Sequence, residues 1–233
     1  MKYLYRIYQV LVFVPIMAVA TLSTALITIV AIPWKNAEWL HRVQQLWARL
    51  FCYLLFIPVT VSGVENITSG QSYVFVSNHQ SFYDVFAIYG WLPVIFKWLM
   101  KAEVRKIPFV GTACKAAGHI FVDRIHPKAA AASIKEAENV LHDGVCTVIF
   151  PEGTRTRTGE MGTFKRGAFQ IALDLHLPVI PISLTGCYQV MNPGDIFVNR
   201  HPIHMHIGEP IDLSQVENPI EYVRNKVKEG IYE

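Results

Sequence analysis

The chain has 233 residues, of which 52% are hydrophobic and 17% charged, and its formal net charge is +3. That length suits one catalytic domain with an attachment rather than two independent domains. So small a charge gives no reason to expect nucleic acid, and the apolar excess is gathered at one end of the chain.

Val10 to Trp34 contains no charged residue, with Lys2 and Arg6 before it and Lys35 after. As a helix of about 25 residues it extends roughly 37 Å, enough to cross a hydrocarbon core. A cleaved secretory signal has an apolar core of only about 7–15 residues, so this segment is expected to stay attached. From Asn36 to Arg49, Trp39 and Trp47 mix with Glu38, Arg42 and Arg49, a pattern that favours the bilayer interface. The next apolar run, Leu50 to Val61, would rise about 18 Å as a helix, too little to span alone. Residues 1–62 are therefore expected to form a membrane-associated helical hairpin. Its first helix enters the membrane and its second lies along the surface; a single-pass anchor is the rival arrangement.

Beyond Gly63 the pattern changes to short alternating elements. Strands are expected at Ser72–Ser77, Val94–Met100, His119–Val122, Val145–Phe150, Val179–Leu184 and Ile203–Ile207. Helices are expected at Phe82–Trp91, Pro108–Ala117, Lys128–Leu141, Gly167–His176 and Pro219–Ile231, the third of them stopped by Asp143-Gly144. Such alternation predicts an α/β domain over residues 63–233, with a mixed central sheet flanked by helices.

Asn78-His79-Gln80-Ser81-Phe82-Tyr83-Asp84 follows the first of these strands, and loops at strand ends are where α/β folds place their sites. Four residues separate His79 from Asp84, so a turn entering a helix brings the carboxylate back against the imidazole. A carboxylate so placed fixes the tautomer and leaves the other ring nitrogen to take a proton. The plainer reading is that Asp84 only caps the helix. Phe150-Pro151-Glu152-Gly153-Thr154-Arg155 ends the Val145–Phe150 strand and suits an anion. Gly153 lets the backbone approach closely, Thr154 adds a hydroxyl, and Arg155 binds phosphate bidentately. Arg157, Lys165 and Arg166 lie just downstream, and a solvated basic turn is the alternative. Base plus anion site points to acyl transfer onto a phosphate-bearing alcohol.

Other clusters say less. Lys97, Lys101, Arg105 and Lys106 suit anionic headgroups, a phosphorylated substrate or a solvated face equally. Cys52, Cys114, Cys146 and Cys187 lack CxxC spacing and read as buried thiols of a reducing compartment. His204 and His206 share a strand face with no acid or thiol nearby to complete a metal site, so no metal is expected. There is no G-x-S-x-G elbow.

Four blocks in order resemble the glycerolipid acyltransferases of the lysophosphatidic acid acyltransferase type. Asn78 to Asp84 is similar to that family's N-H-x4-D block. Lys101, Glu103, Pro108, Gly111, Gly118, Phe121, Val122, Asp123 and Arg124 resemble its second. Phe150 to Arg155 resembles the third, and Leu177-Pro178-Val179-Ile180-Pro181 the fourth. Thr156 stands where the family often has Ser. The resemblance implies transfer of a fatty acyl group from a thioester to the hydroxyl of 1-acyl-glycerol-3-phosphate, forming phosphatidic acid. It makes His79 the general base and Asp84 its partner. Arg124, Glu152, Gly153, Thr154 and Arg155 become the phosphate site, with Lys101 adding charge. Glu152, an acid beside phosphate, is expected to orient Arg155 or Arg124. Pro178 and Pro181 are expected to shape a strand turn, and backbone N–H groups near Gly153 are candidates for the oxyanion site.

No resident cofactor is implied, only acyl-CoA or acyl carrier protein as co-substrate and a membrane lipid as acceptor. A thioester is already activated, so a base, an oxyanion site and alignment suffice. The acyl chain needs an apolar tunnel, whose walls are expected in the first helix and residues 94–117. A retained anchor, unpaired cysteines and a soluble donor place the active site on the cytosolic side of a membrane. The alternatives are another lysophospholipid or an acylated amino-acid lipid as acceptor, a metal-dependent hydrolase, or a non-catalytic lipid carrier.

Overall fold

The computed structural model describes residues 2–31, 37–107, 109–122 and 135–231. Seven strands form one sheet: β1 (Val59–Ser62), β2 (Val74–Ser77), β3 (Phe96–Lys101), β4 (Ile120–Val122), β5 (Cys146–Ile149), β6 (Val179–Thr185) and β7 (Ile203–Ile207). Their order is β1-β7-β6-β2-β5-β3-β4. β6 and β7 pair antiparallel and every other neighbouring pair is parallel, so the sheet is mixed. β2 lies between β5 and β6 with all four residues buried. A strand covered on both faces has no polar face to show, which is why Val74 to Val76 reads as an unbroken apolar run. Val74 and Val76 pack into one core layer and Phe75 into the other, as the two-residue period of a strand requires.

One layer holds helices α1 (Lys2–Val30), α2 (Ala37–Tyr53) and α3 (Tyr83–Trp91), with α6 (Cys187–Val190). The other holds α5 (Gln170–Asp174) and α7 (Pro219–Glu229). α4 (Val110–Ala116) packs against α1. α7 begins on Pro219, whose missing N–H costs nothing at a helix start.

The run Leu50 to Val61 is not one element. α2 ends at Tyr53, the chain turns at Phe56 (φ 56°), and Val59 opens β1 against Ile203 of β7. Pro58 cannot continue a helix, and the β-branched Val59-Thr60-Val61 favours a strand. The expected helix at 167–176 is a 3-10 turn at Arg166–Ala168 followed by α5. Of the helix expected at 128–141, residues 135–138 are helical, and its beginning lies outside the described residues. Pro181 sits within β6, paired with Val76, not in a turn.

α2 buries His41, Gln44, Ala48 and Cys52 at three- and four-residue spacing, against α3 and α1. This buried stripe makes α2 part of the core on that side. α1 is long and apolar enough to cross a membrane, and most of its side chains are exposed. It is nonetheless tied down at both ends. The Gln9 amide exchanges hydrogen bonds with the backbone of Val198, donating at 2.8 Å and accepting at 2.9 Å. Tyr5 and Tyr8 donate to the carbonyls of Leu55 and Leu54, and the Trp47 indole donates to Thr21.

Candidate active site

The carboxyl ends of β2, β3 and β5 converge at one edge of the sheet, bringing His79, Lys101 and the Phe150–Arg155 loop together. Asn78 fixes the end of β2 from below. Its buried amide donates to the Leu184 carbonyl at 2.9 Å and accepts the Leu184 N–H at 2.8 Å.

His79 and Asp84 meet as their spacing predicted. Nδ1 of His79 lies 2.8 Å from Oδ2 of Asp84, whose carboxylate is wholly buried in the first turn of α3. The same oxygen accepts the N–H groups of Gln80 and Ser81 at 2.6 and 2.8 Å. Asp84 therefore holds the loop as well as the ring, and it is not the cap residue of α3, which is Phe82. A buried carboxylate with this partner keeps the proton on Nδ1 and leaves Nε2 as the basic nitrogen. Cys187, fully buried and pushed well above its ordinary pKa by that burial and then by the Asp84 charge, remains a neutral thiol beside it.

The imidazole is also held by its face. Phe150 stacks on it with ring centres 4.0 Å apart and planes 12° from parallel, and Trp98 stacks behind Phe150 at 5.5 Å. The main chain of His79 is pinned from both sides by the second loop. Glu152 accepts its N–H at 2.7 Å, and Thr156 donates to its carbonyl at 3.0 Å.

Glu152 does not orient Arg155, and its other expected partner, Arg124, lies outside the described residues. One of its oxygens takes the His79 N–H and the other the Gly162 N–H, at 2.7 Å, so it braces backbone. Arg155 instead lies over the Phe82 ring, 4.1 Å from its centre. Burial raises the Glu152 pKa, and the two donated N–H groups oppose the rise. Gly153 adopts φ 76°, and its own N–H donates to the Phe150 carbonyl within the turn. That bond removes this N–H from the candidates for an oxyanion site. Thr154 is exposed, Arg155 half-buried and Lys101 exposed at the end of β3. Arg124 lies outside the described residues, as do Pro108 and Asp123.

Beside this edge opens a cavity of about 530 Å³, the size of a small-molecule pocket. His79, Phe150, Gly153 and Lys101 are among the residues that line it. Its walls come from Thr21, Thr24, Ala25 and Thr28 of α1, from Gln44 and Trp47 of α2, and from residues between Trp98 and Ala117, so it overlaps the walls expected from sequence. Inside it, Tyr89 donates to Gln44 at 2.5 Å, and Gln44 lies 3.4 Å from the Thr28 hydroxyl. Lys97 leaves the basic cluster read in the sequence. It turns inward to donate to the Ala117 carbonyl at 2.6 Å, and burial lowers its pKa.

The histidine pair on β7 is taken up by β1. Ser62 lies 3.1 Å from Nε2 of His204 and 3.0 Å from Nδ1 of His206, and Thr60 lies 2.9 Å from Nδ1 of His204. Among the described residues no group of three or more metal-ligating side chains converges. Three features had no sequence signal: the Phe150–His79 stack, the Glu152–Gly162 brace and the Gln9–Val198 tie. Each joins positions whose proximity only the fold creates.

A mixed α/β sheet thus brings a His–Asp pair to the lining of an apolar cavity, an arrangement compatible with acyl transfer. A family model described as Acyltransferase matches residues 58–185, and the chain belongs to that family. It is 33% identical to a chloroplastic 1-acyl-sn-glycerol-3-phosphate acyltransferase, BAT2, of Brassica napus, over 82% of this chain and 56% of that protein. It is also 33% identical to a 1-acyl-sn-glycerol-3-phosphate acyltransferase of Cocos nucifera, over 86% of this chain and 66% of the other. The chain thus spans little more than half the length of the Brassica relative. The crystal structure of PlsC, the 1-acyl-sn-glycerophosphate (LPA) acyltransferase of Thermotoga maritima, superposes with a TM-score of 0.73. Identity there is 26%, covering 93% of this chain and 96% of that one.

Proposed function

We propose that the protein transfers a fatty acyl group from an acyl thioester to the sn-2 hydroxyl of 1-acyl-glycerol-3-phosphate, forming phosphatidic acid. The observation that carries this reading is the His79–Asp84 pair, 2.8 Å apart, opening onto the apolar cavity. Nε2 of His79 takes the proton from the acceptor hydroxyl as its oxygen attacks the thioester carbonyl. The tetrahedral intermediate then collapses, the carbon–sulfur bond breaks, and the departing thiolate receives the proton from Nε2. Asp84 stays ionised and stabilises the imidazolium between these two transfers. No covalent acyl-enzyme is needed, because the thioester is already activated.

Arg155, backed by Phe82, and Lys101 are the cations that bind the acceptor phosphate, with Thr154 next to Arg155 in the chain, and the family resemblance adds Arg124. The acyl chain occupies the cavity. α1 meets the acceptor's source. Gln9 is bonded to Val198 near one end of this helix, and Thr28 lines the cavity near the other, so one face runs along the domain. That arrangement favours α1 lying in one leaflet with its apolar outer face in lipid; a soluble thioester donor calls for the active site on the cytosolic side.

The test is a purified-protein assay in detergent micelles with lysophosphatidic acid and either acyl-CoA or acyl carrier protein thioester, beside His79→Ala. Phosphatidic acid from the parent and a loss of about 10²–10⁴ in the variant are expected. Equal product from both proteins rules out His79 as the base. Product only with other lysophospholipids reassigns the acceptor.

A further inference from the structure

The described residues from Lys101 to Ala116 run outward from the edge of the site. They hold Lys101, Arg105, Lys106 and Lys115 against one acid, Glu103, and so carry a net charge as large as that of the whole chain. All four cations are exposed. Among them Ile107, Phe109 and Val110 are 49%, 72% and 44% exposed. Phe109 is held at φ 62° and ψ −46°, a backbone conformation L-residues rarely adopt, while most of its ring faces solvent. That strain serves no internal packing of the ring.

The inner side of the same segment has another role. Val104, Ala113, Cys114 and Ala117 line the cavity, and α4 packs on α1. The outer face of α1 presents Val19, Leu22 and Leu26 to the surroundings. Exposed apolar side chains therefore stand on α1 and, on the segment packed beside it, at Ile107, Phe109 and Val110, with Arg105, Lys106 and Lys115 near the latter in sequence. Aromatic side chains settle at the headgroup level of a bilayer, and lysines and arginines beside them are drawn to anionic lipid.

We propose that the described residues from Arg105 to Lys115 dock on an anionic lipid surface. Phe109 enters the boundary between headgroups and acyl chains, and Arg105, Lys106 and Lys115 meet lipid phosphates. This second foothold holds the cavity mouth at the level from which a lysolipid arrives. It rests on the reading given above only for the placement of α1 in lipid.

Alkylation of Phe109→Cys by a membrane-impermeant maleimide tests it without any use of activity. The protein, carrying Cys114→Ser so that its remaining native thiols are buried, is added to preformed vesicles of phosphatidylcholine or of phosphatidylcholine with phosphatidylglycerol. Slow labelling in the anionic vesicles and fast labelling in the zwitterionic ones is the expected pattern. Glu217→Cys, exposed on the other layer, should label alike in both. Adding Lys106→Glu and Lys115→Glu to the Phe109→Cys protein should speed its labelling on the anionic vesicles by about tenfold or more, taking roughly fivefold per cation near the surface. Equal labelling in the two vesicle types, fast or slow, overturns the proposal. Failure of the phosphatidic acid assay would leave the labelling pattern intact, so the two readings fail separately.

Discussion

The carboxylate of Glu152 holds the main chain of His79, accepting its N–H at 2.7 Å with one oxygen and the Gly162 N–H at 2.7 Å with the other. This relationship explains an acid inside a loop otherwise suited to an anion: it positions His79 from behind. A Cβ at Gly162 would lie 3.1 Å from Oε2 of Glu152, so the far arm of this brace also needs a small residue.

Glu152→Gln keeps the size of the side chain but turns one acceptor into a donor that faces an N–H. The expected cost is about 1–3 kcal/mol of stability, the range for a buried group left unpaired. Turnover should fall while the far-ultraviolet circular dichroism spectrum stays unchanged. A variant with full turnover and an unshifted melting temperature would remove the brace from the account of the site.

Asp84→Asn removes a carboxylate whose single oxygen accepts from His79, Gln80 and Ser81. The amide no longer enforces the Nδ1–H tautomer. Turnover should drop by about 10²–10⁴, with lysolipid affinity little changed. A loss confined to KM would instead assign Asp84 to binding.

Ala25 of α1 and Ala113 of α4 both line the cavity, and the two helices pack together. Ala25→Phe and Ala113→Phe should each shorten the preferred acyl donor. Each methylene displaced from apolar contact is worth about 0.8 kcal/mol, or about fourfold in kcat/KM between successive donors. A competition assay with thioesters of graded length reads this directly. An unchanged length profile in both variants would show that the chain lies elsewhere.

Burial pushes His41 down to about 4 and His119 down to about 3, with the nearby Lys97 charge acting in the same direction. The unfolded chain takes up these protons near pH 6.5, whereas the folded chain resists until pH 3–4. Their contribution is therefore complete above pH 6.5 and is lost as the pH falls toward 4. The slope is at most about 1.4 kcal/mol per pH unit for each histidine. His41→Phe, which keeps the ring contacts with Tyr89 and Phe96, should flatten denaturation midpoints between pH 7 and 4.5. An unaltered slope would mean that His41 is protonated in the folded state.

Much of the sheet was legible from local pattern. β2, β5, β6 and β7 are short β-branched or apolar runs between turn residues, and β7 has the bounds expected of it. β1 was hidden because its apolar residues continue those of α2. Only pairing with β7 decides that Val59 to Ser62 is extended. The site was legible to the same depth. His79 and Asp84 are near neighbours in sequence, so a single turn suffices to join them. The backbone brace by Glu152 was hidden for the opposite reason, since its partners lie 73 and 10 residues away along the chain.

The sequence by itself determined what is local: an apolar amino-terminal helix, the alternation of strands and helices, the His–Asp turn and a loop rich in anion-binding groups. Periodicity and short spacings encode these, because each depends on a few consecutive residues. The tertiary structure alone decided that Phe150 covers the His79 ring, that Glu152 braces its backbone, and that Lys97 turns inward while Lys101 stays out. Those outcomes depend on which strand ends meet at one edge of the sheet. Strand order and direction set that meeting, and no stretch of consecutive residues records them.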